Sequence, residues 1–215
     1  MKPLVSKDTV ILPLLNGADI YDRLRQIIRN GLILPGCIYI SSHISAPGVV
    51  NHTSKPGRII MGKDPKQRSF IPENLLNIFK EANIEYTWKE NADPDIWEKY
   101  IFIAAFSLVS ARFDRTIGEV LADQILRERV EGIMNEIFLI ATEKGINLPE
   151  KIVGLTLEKA LSFPPETRTS FQRDVALRKQ KNELEILGGA IIEMGKKSGI
   201  PTPFTDEIYT QLGGR

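Results

Sequence analysis

An α/β segment followed by an all-helical one is the fold class that this sequence predicts, and three observations predict it. Up to about residue 92 the apolar stretches are short and rich in β-branched residues, as strands require. From Asp93 onward apolar residues recur at helical spacing. The pairs Pro35-Gly36, Pro47-Gly48 and Pro56-Gly57 punctuate the first part alone.

In chain order, the strand candidates are Val10-Ile11-Leu12, Cys37-Ile38-Tyr39-Ile40, Val49-Val50, Arg58-Ile59-Ile60-Met61 and Glu85-Tyr86-Thr87-Trp88. Helix-like stretches run from Asp19 to Asn30 and from Pro72 to Ala82. Val10 to Leu15 is apolar on both faces, as expected of a strand inside a sheet, and with nine residues before it an open edge is expected. The helical part reads as 94–111, 117–144, 149–162, 168–198 and 203–212. Ile117, Val120, Leu121, Ile125, Val130, Ile133, Met134, Ile137 and Phe138 keep helical spacing, and Gly145 stops that helix. Two domains are expected, 1–92 and 93–215, and the chain shows no internal repeat and no low-complexity segment.

With 215 residues, 42% apolar and 26% charged, the chain suffices for one large or two small cores. A formal charge of +1, with basic residues spread among acidic ones, leaves no electrostatic footprint for nucleic acid or for an anionic membrane. No apolar stretch reaches the ~20 residues of a membrane span, and Met1-Lys2-Pro3-Leu4-Val5-Ser6-Lys7-Asp8 has no signal-peptide core. A single cysteine, Cys37, cannot make an intramolecular disulfide, so a reduced, cytoplasmic protein is expected. On that reading the glycosylation triplet Asn51-His52-Thr53 is a chance match. His43, His52 and Cys37 have no metal-ligand spacing, and a histidine at a strand end, such as His43, is more often structural than catalytic. Neither G-x-S-x-G nor G-x-G-x-x-G occurs.

Lys99 stands out. It interrupts an apolar run at the start of a well-signalled helix, with Ile96, Phe102 and Ile103 one turn away and Asp95 the only acid at that spacing. Its ammonium either snorkels to the helix end or lines a cleft, where it could donate a proton. Asn16-Gly17, directly after the first strand, reads either as a structural turn or as the ligand-binding carboxyl edge of a sheet.

The sequence resembles the ketopantoate reductases (2-dehydropantoate 2-reductases) over essentially its whole length. The resemblance is carried by Leu14-Leu15-Asn16-Gly17, by Ser41 to Val50, by Arg58 to Gly62 and by Trp97-Glu98-Lys99. Thr169-Ser170-Phe171-Gln172-Arg173-Asp174, Asn182-Glu183-Leu184-Glu185 and Gly199-Ile200-Pro201-Thr202-Pro203 complete it. It implies an α/β remnant of an NADP-binding Rossmann domain followed by an all-α domain like the C-terminal domain of 6-phosphogluconate dehydrogenase. Roughly eighty residues at the family's N-terminus, about one βαβαβ half with the glycine-rich phosphate loop, have no counterpart here. The 215 residues alone are therefore expected to bind NADPH weakly or not at all.

The resemblance further implies NADPH-dependent reduction of a 2-keto acid, ketopantoate to pantoate or a related substrate, while the open sheet edge and the apolar helices predict a homodimer. Lys99 matches the catalytic lysine, suited to that role because desolvation lowers an ammonium's pKa. Glu183 matches its acidic partner, but the interval from Asp174 is one residue longer than the family usually shows, which leaves Glu185 as the alternative. Ser170 matches the substrate-binding serine, although it or Thr169 could instead cap a helix. Asn16 matches an asparagine that contacts cofactor and substrate, and Ser45 a backbone contact to cofactor. Four and eight residues after Lys99, where the family places substrate-binding asparagines, stand Ile103 and Ser107, and Ile117 replaces a third. Ser107 is retained as a substrate-binding position, and a less polar 2-keto acid is expected, since a pocket without those amides holds a hydroxylated substrate less well. The alternative function is a non-catalytic binding or assembly module derived from the same family, and a helical oligomerisation domain is a third.

Overall fold

The computed structural model describes residues 5–52, 57–179 and 182–214, apart from the side chain of His43. Pro56 of the third Pro-Gly turn, Thr53 of the glycosylation triplet, and 180–181 within the helix expected over 168–198 lie outside the described residues. The chain divides into two compact units, Met1–Ile96 and Trp97–Arg215.

In the first unit, β1 (Val10–Ile11) pairs in parallel with β2 (Leu32–Ile33), with α1 (Ile20–Ile27) between them in sequence. The sequence reading missed β2, because its two residues merge with the apolar run through Leu34. β3 (Gly36–Tyr39) pairs antiparallel with β6 (Arg58–Gly62), and β6 pairs in parallel with β7 (Glu85–Lys89) across α2 (Glu73–Glu81). The strand period of two decides what each side of this sheet buries. Ile59 and Met61 join Leu34 and Phe79 in one core, whereas Ile60 meets Cys37 and Ala92 in another. The remaining strands, β4 (Ser42–Ala46) and β5 (Val49–His52), form a separate exposed hairpin.

A buried carboxylate holds the parallel pair to the sheet that follows. Asp64, 1% exposed, accepts hydrogen bonds from Tyr21 Oη (2.8 Å), the Ile33 N–H (2.9 Å) and the Lys66 N–H (2.9 Å), and is paired with the Arg25 guanidinium. Burial alone would raise its pKa, but the backbone N–H groups of Ile33 and Lys66, the Tyr21 hydroxyl and Arg25 together hold it below the usual carboxylate value.

The second unit is helical, and α3 (Asp93–Phe113) leads into it. From Tyr100 to Ala111 this helix is apolar on nearly every side and mostly buried, as a central helix must be. Two expected helices are broken. The stretch 117–144 becomes α4 (Ile117–Ala122) and α5 (Gln124–Glu143), because Asp123 turns out of helical geometry and its Oδ1 accepts from the N–H groups of Ile125 (2.9 Å) and Leu126 (3.1 Å). The stretch 168–198 becomes α7 (Ser170–Ala176), a π-turn (Glu185–Gly189) and α8 (Ala190–Ser198), with Arg178 in the left-handed region at φ 52°. α6 (Ile152–Leu161) and α9 (Pro203–Gln211) complete the unit. α5 packs against α4, α6, α8 and α9, and its buried Glu136 caps α9 by accepting from the N–H groups of Phe204 (2.7 Å) and Thr205 (3.1 Å) and from Thr205 Oγ1 (2.5 Å). Among the described residues no helix is long and apolar enough to cross a membrane.

Candidate functional site

Lys99 lies nearly two turns into α3 and is half-buried. Asp95, the acid expected within its reach, is engaged elsewhere: Lys89 Nζ lies 2.7 Å from both of its carboxylate oxygens. Glu98 points to α6, where Lys159 lies 3.4 Å away. Phe102, one turn after Lys99, stacks on Phe163 with ring centroids 5.2 Å apart and meets Phe106 at 5.1 Å with the rings tilted by 42°. This aromatic ladder runs from the helix to an apolar cleft of about 320 Å³ lined by Ile117, Gly118, Leu121, Leu161, Phe163 and Pro165. Ile103 is half-buried beside it in sequence, and Ile117 is buried.

The residue after Lys99 ties this helix to the segment carrying Glu183. Tyr100 is 1% exposed, and its hydroxyl donates to the carbonyl oxygens of Ile186 (2.7 Å) and Leu187 (3.4 Å). Glu183 is half-buried, and its own carbonyl accepts from the N–H groups of Ile186 (3.0 Å) and Leu187 (2.9 Å). The alternative acid, Glu185, is held by α9, since Tyr209 Oη donates to Glu185 Oε1 at 2.6 Å.

Ser170 is exposed at the first position of α7, and the capping role falls to its neighbour: Thr169 Oγ1 accepts from the Gln172 N–H at 3.1 Å. Gln172 Nε2 donates to Asp114 Oδ1 (3.0 Å), so α7 is anchored at the far end of α3 from Lys99, roughly 20 Å along a helix rising 1.5 Å per residue. Ser107 lies between these ends, 1% exposed, and the sequence reading missed its neighbours. The hydroxyls of Ser107 and Ser110 and Gln172 Oε1 are buried without a hydrogen-bond partner among the described residues. Such atoms are normally satisfied by ordered water or a bound polar group. Hydrophobic periodicity hid them, because both serines sit inside an apolar helix.

In the first unit, Asn16 follows β1 and precedes α1, at the carboxyl end of the parallel pair, with Gly17 at φ 141° beside it. Ser45 is exposed on β4, and its hydroxyl donates to the Val49 carbonyl at 3.5 Å. Among the described residues no group of three His, Cys, Asp or Glu is placed to hold a metal ion.

Comparisons with known proteins show the family of the chain. The family model described as ketopantoate reductase PanE/ApbA C terminal matches residues 91–215, and that described as ketopantoate reductase PanE/ApbA matches residues 1–66. The uncharacterized oxidoreductase YkpB of Bacillus subtilis (strain 168) is 26% identical over 212 residues, covering 99% of this chain and 70% of its own. The 2-dehydropantoate 2-reductase of Aquifex aeolicus (strain VF5) is 27% identical over 219 residues, covering 99% and 69%. The crystal structure of 2-dehydropantoate 2-reductase from Methylococcus capsulatus superposes with a TM-score of 0.84 at 26% identity, over 98% of this chain and 67% of that one.

Proposed function

Because the chain belongs to the ketopantoate reductase PanE/ApbA family of oxidoreductases, we propose that it reduces a 2-keto acid with NADPH, using Lys99 as the acid and Glu183 as its partner. The observation that carries this reading is the Tyr100 hydrogen bond, which draws the helix bearing Lys99 and the turn bearing Glu183 together. NADPH supplies the hydride when bound. Lys99 donates a hydrogen bond to the keto oxygen and then a proton to the alkoxide, while the Glu183 carboxylate orients substrate and ammonium by accepting from them. Ser170 is given no substrate contact in this reading, because α7 is anchored to Asp114 at the opposite end of α3 from Lys99. Asn16 stands at the carboxyl end of a parallel strand pair, where open α/β sheets bind dinucleotides, which supports its contact with the cofactor. Ser45 offers a further backbone contact.

A less polar substrate than ketopantoate is supported by Ile103 and Ile117 and by the apolar cleft that Phe163 connects to Phe102. Burying apolar surface there contributes about 25 cal/mol per Å². Ser107 offers the substrate a single hydroxyl on the same helix, and Ile44 and Val50, exposed on the β4–β5 hairpin, support a homodimer. A cytoplasmic location fits a reductase that draws on NADPH. The 215 residues by themselves are proposed to hold NADPH weakly, since no glycine-rich phosphate loop occurs in them. Calorimetry giving micromolar affinity would contradict this.

The test is NADPH oxidation by the protein expressed from its gene, against ketopantoate and a panel of apolar 2-keto acids. Lys99→Met is expected to lose about 10²-fold or more in kcat. Activity retained in that variant overturns the reading, and efficient turnover of ketopantoate overturns the substrate assignment alone.

A further inference from the structure

We infer that Tyr100 and Tyr209 are positioning residues that clamp the Glu183-bearing turn, from α3 and from α9, and so set how Glu183 faces the helix of Lys99. The inference rests on the reductase reading above.

The turn is the one place among the described residues where a helix widens to π geometry. The Ala190 N–H reaches back five residues to the Glu185 carbonyl. An α-helix would have directed it to Ile186, so the Ile186 carbonyl is left open to another donor. Tyr100 is that donor, at 2.7 Å, with a weaker contact to Leu187 at 3.4 Å. Single π-turns are uncommon and occur frequently at functional sites, because they re-aim the residues that precede them. Leu184 immediately precedes the turn, and Glu183, one residue earlier, accepts at its carbonyl the N–H groups of the two residues that Tyr100 contacts.

Tyr209 holds the opposite side. Its hydroxyl donates to Glu185 Oε1 at 2.6 Å, and its ring lies so close that a Cβ on Gly188 would come within 2.8 Å of its Cδ2. Trp97 meets the Tyr100 ring edge-on at 6.3 Å and 85°, which restrains that ring from α3 itself. Both tyrosines are buried. Glu185 is thereby tied to α9.

The experiment uses Tyr100→Phe, which removes one oxygen and keeps the ring against Trp97. By hydrogen exchange on the protein itself, amides 184–189 are expected to exchange about tenfold faster while those of α5 stay unchanged. In the enzyme assay kcat is expected to fall about tenfold or more, with KM for NADPH unchanged and the pH profile of kcat displaced, because a misplaced acid partner alters the proton step. A merely structural contact would leave that profile in place. Tyr209→Phe is the second variant: it loosens the same turn from α9, and is read in the same way should Tyr100→Phe fail to fold. Wild-type exchange at 184–189 together with wild-type kcat and pH profile in the variant that folds overturns the inference. If the clamp variants behave as wild type while Lys99→Met is inactive, the reductase reading stands without the clamp. Activity surviving in Lys99→Met refutes the reading, and the exchange data still report on the clamp.

Discussion

Replacing Asp64 by alanine is the sharpest test of how the first unit is held together. Its side chain is fully buried, and its partner Arg25 is only 7% exposed, so the substitution leaves a guanidinium with little water to take the carboxylate's place. Breaking a buried pair by removing one partner costs about 3–5 kcal/mol. The Ile33 N–H, in a residue with no exposed surface, also loses its acceptor, which alone costs about 1–3 kcal/mol. These losses belong to one network and do not add, so about 4 kcal/mol is expected. That is a large fraction of the stability of a small unit, where the whole is about 5–15 kcal/mol. Arg25→Met combined with Asp64→Leu is expected to be milder than Asp64→Ala, because no unpaired charge remains. Hydrogen exchange at Ile33, Leu34 and the β6 amides under native conditions reads the loss locally. A change in opening free energy below about 1 kcal/mol would show that the Asp64 network does not carry the load assigned to it.

Acidification is expected to separate the two units. Asp64 titrates below the usual carboxylate value, so its contribution is present above the unfolded pKa near 4 and is lost as pH falls through the lower folded value. Glu136 has the opposite sign: burial raises its pKa despite the Thr205 and Phe204 hydrogen bonds that lower it. Its contribution is full below the unfolded value and declines as pH rises through the folded one. Exchange should therefore accelerate in β2 and β6 at low pH while α9 is protected, and Glu136→Gln should flatten the α9 response. Equal acid responses in both units would refute this. Gly118→Ala places a Cβ 2.7 Å from the Pro165 carbonyl oxygen and 2.8 Å from its Cα, both backbone, so the loop must shift and about 1–3 kcal/mol is expected to be lost in thermal unfolding. Thr116→Ala removes the capping box with Glu119, whose N–H donates to Thr116 Oγ1 at 3.3 Å, and should cost about 1 kcal/mol; an unchanged melting temperature would count against it.

Periodicity alone sufficed to read the division of the chain into a strand-rich and a helical part, as well as the positions of β1, β3, β6, β7 and α3. Those elements bury residues at spacings of two or 3.6, and burial is a strong, non-directional force that leaves its mark on residue order. Lys99 stands out as a candidate for the same reason inverted, as a charge inside an apolar run. What periodicity missed are features decided by directional hydrogen bonds, local at Asp123 and between distant segments at the π-turn. The break at Asp123 comes from one side-chain oxygen accepting two N–H groups, and the π-turn at Glu185–Gly189 is gripped by tyrosines from α3 and α9. The choice between Glu183 and Glu185 also lay beyond the sequence, since both are glutamates in one charged stretch. What the tertiary structure adds is that Tyr209 Oη donates to Glu185 Oε1, a contact between segments that residue order does not show. Apolar order is written along the chain, whereas a hydrogen bond between residues almost ninety positions apart exists only once the chain has folded.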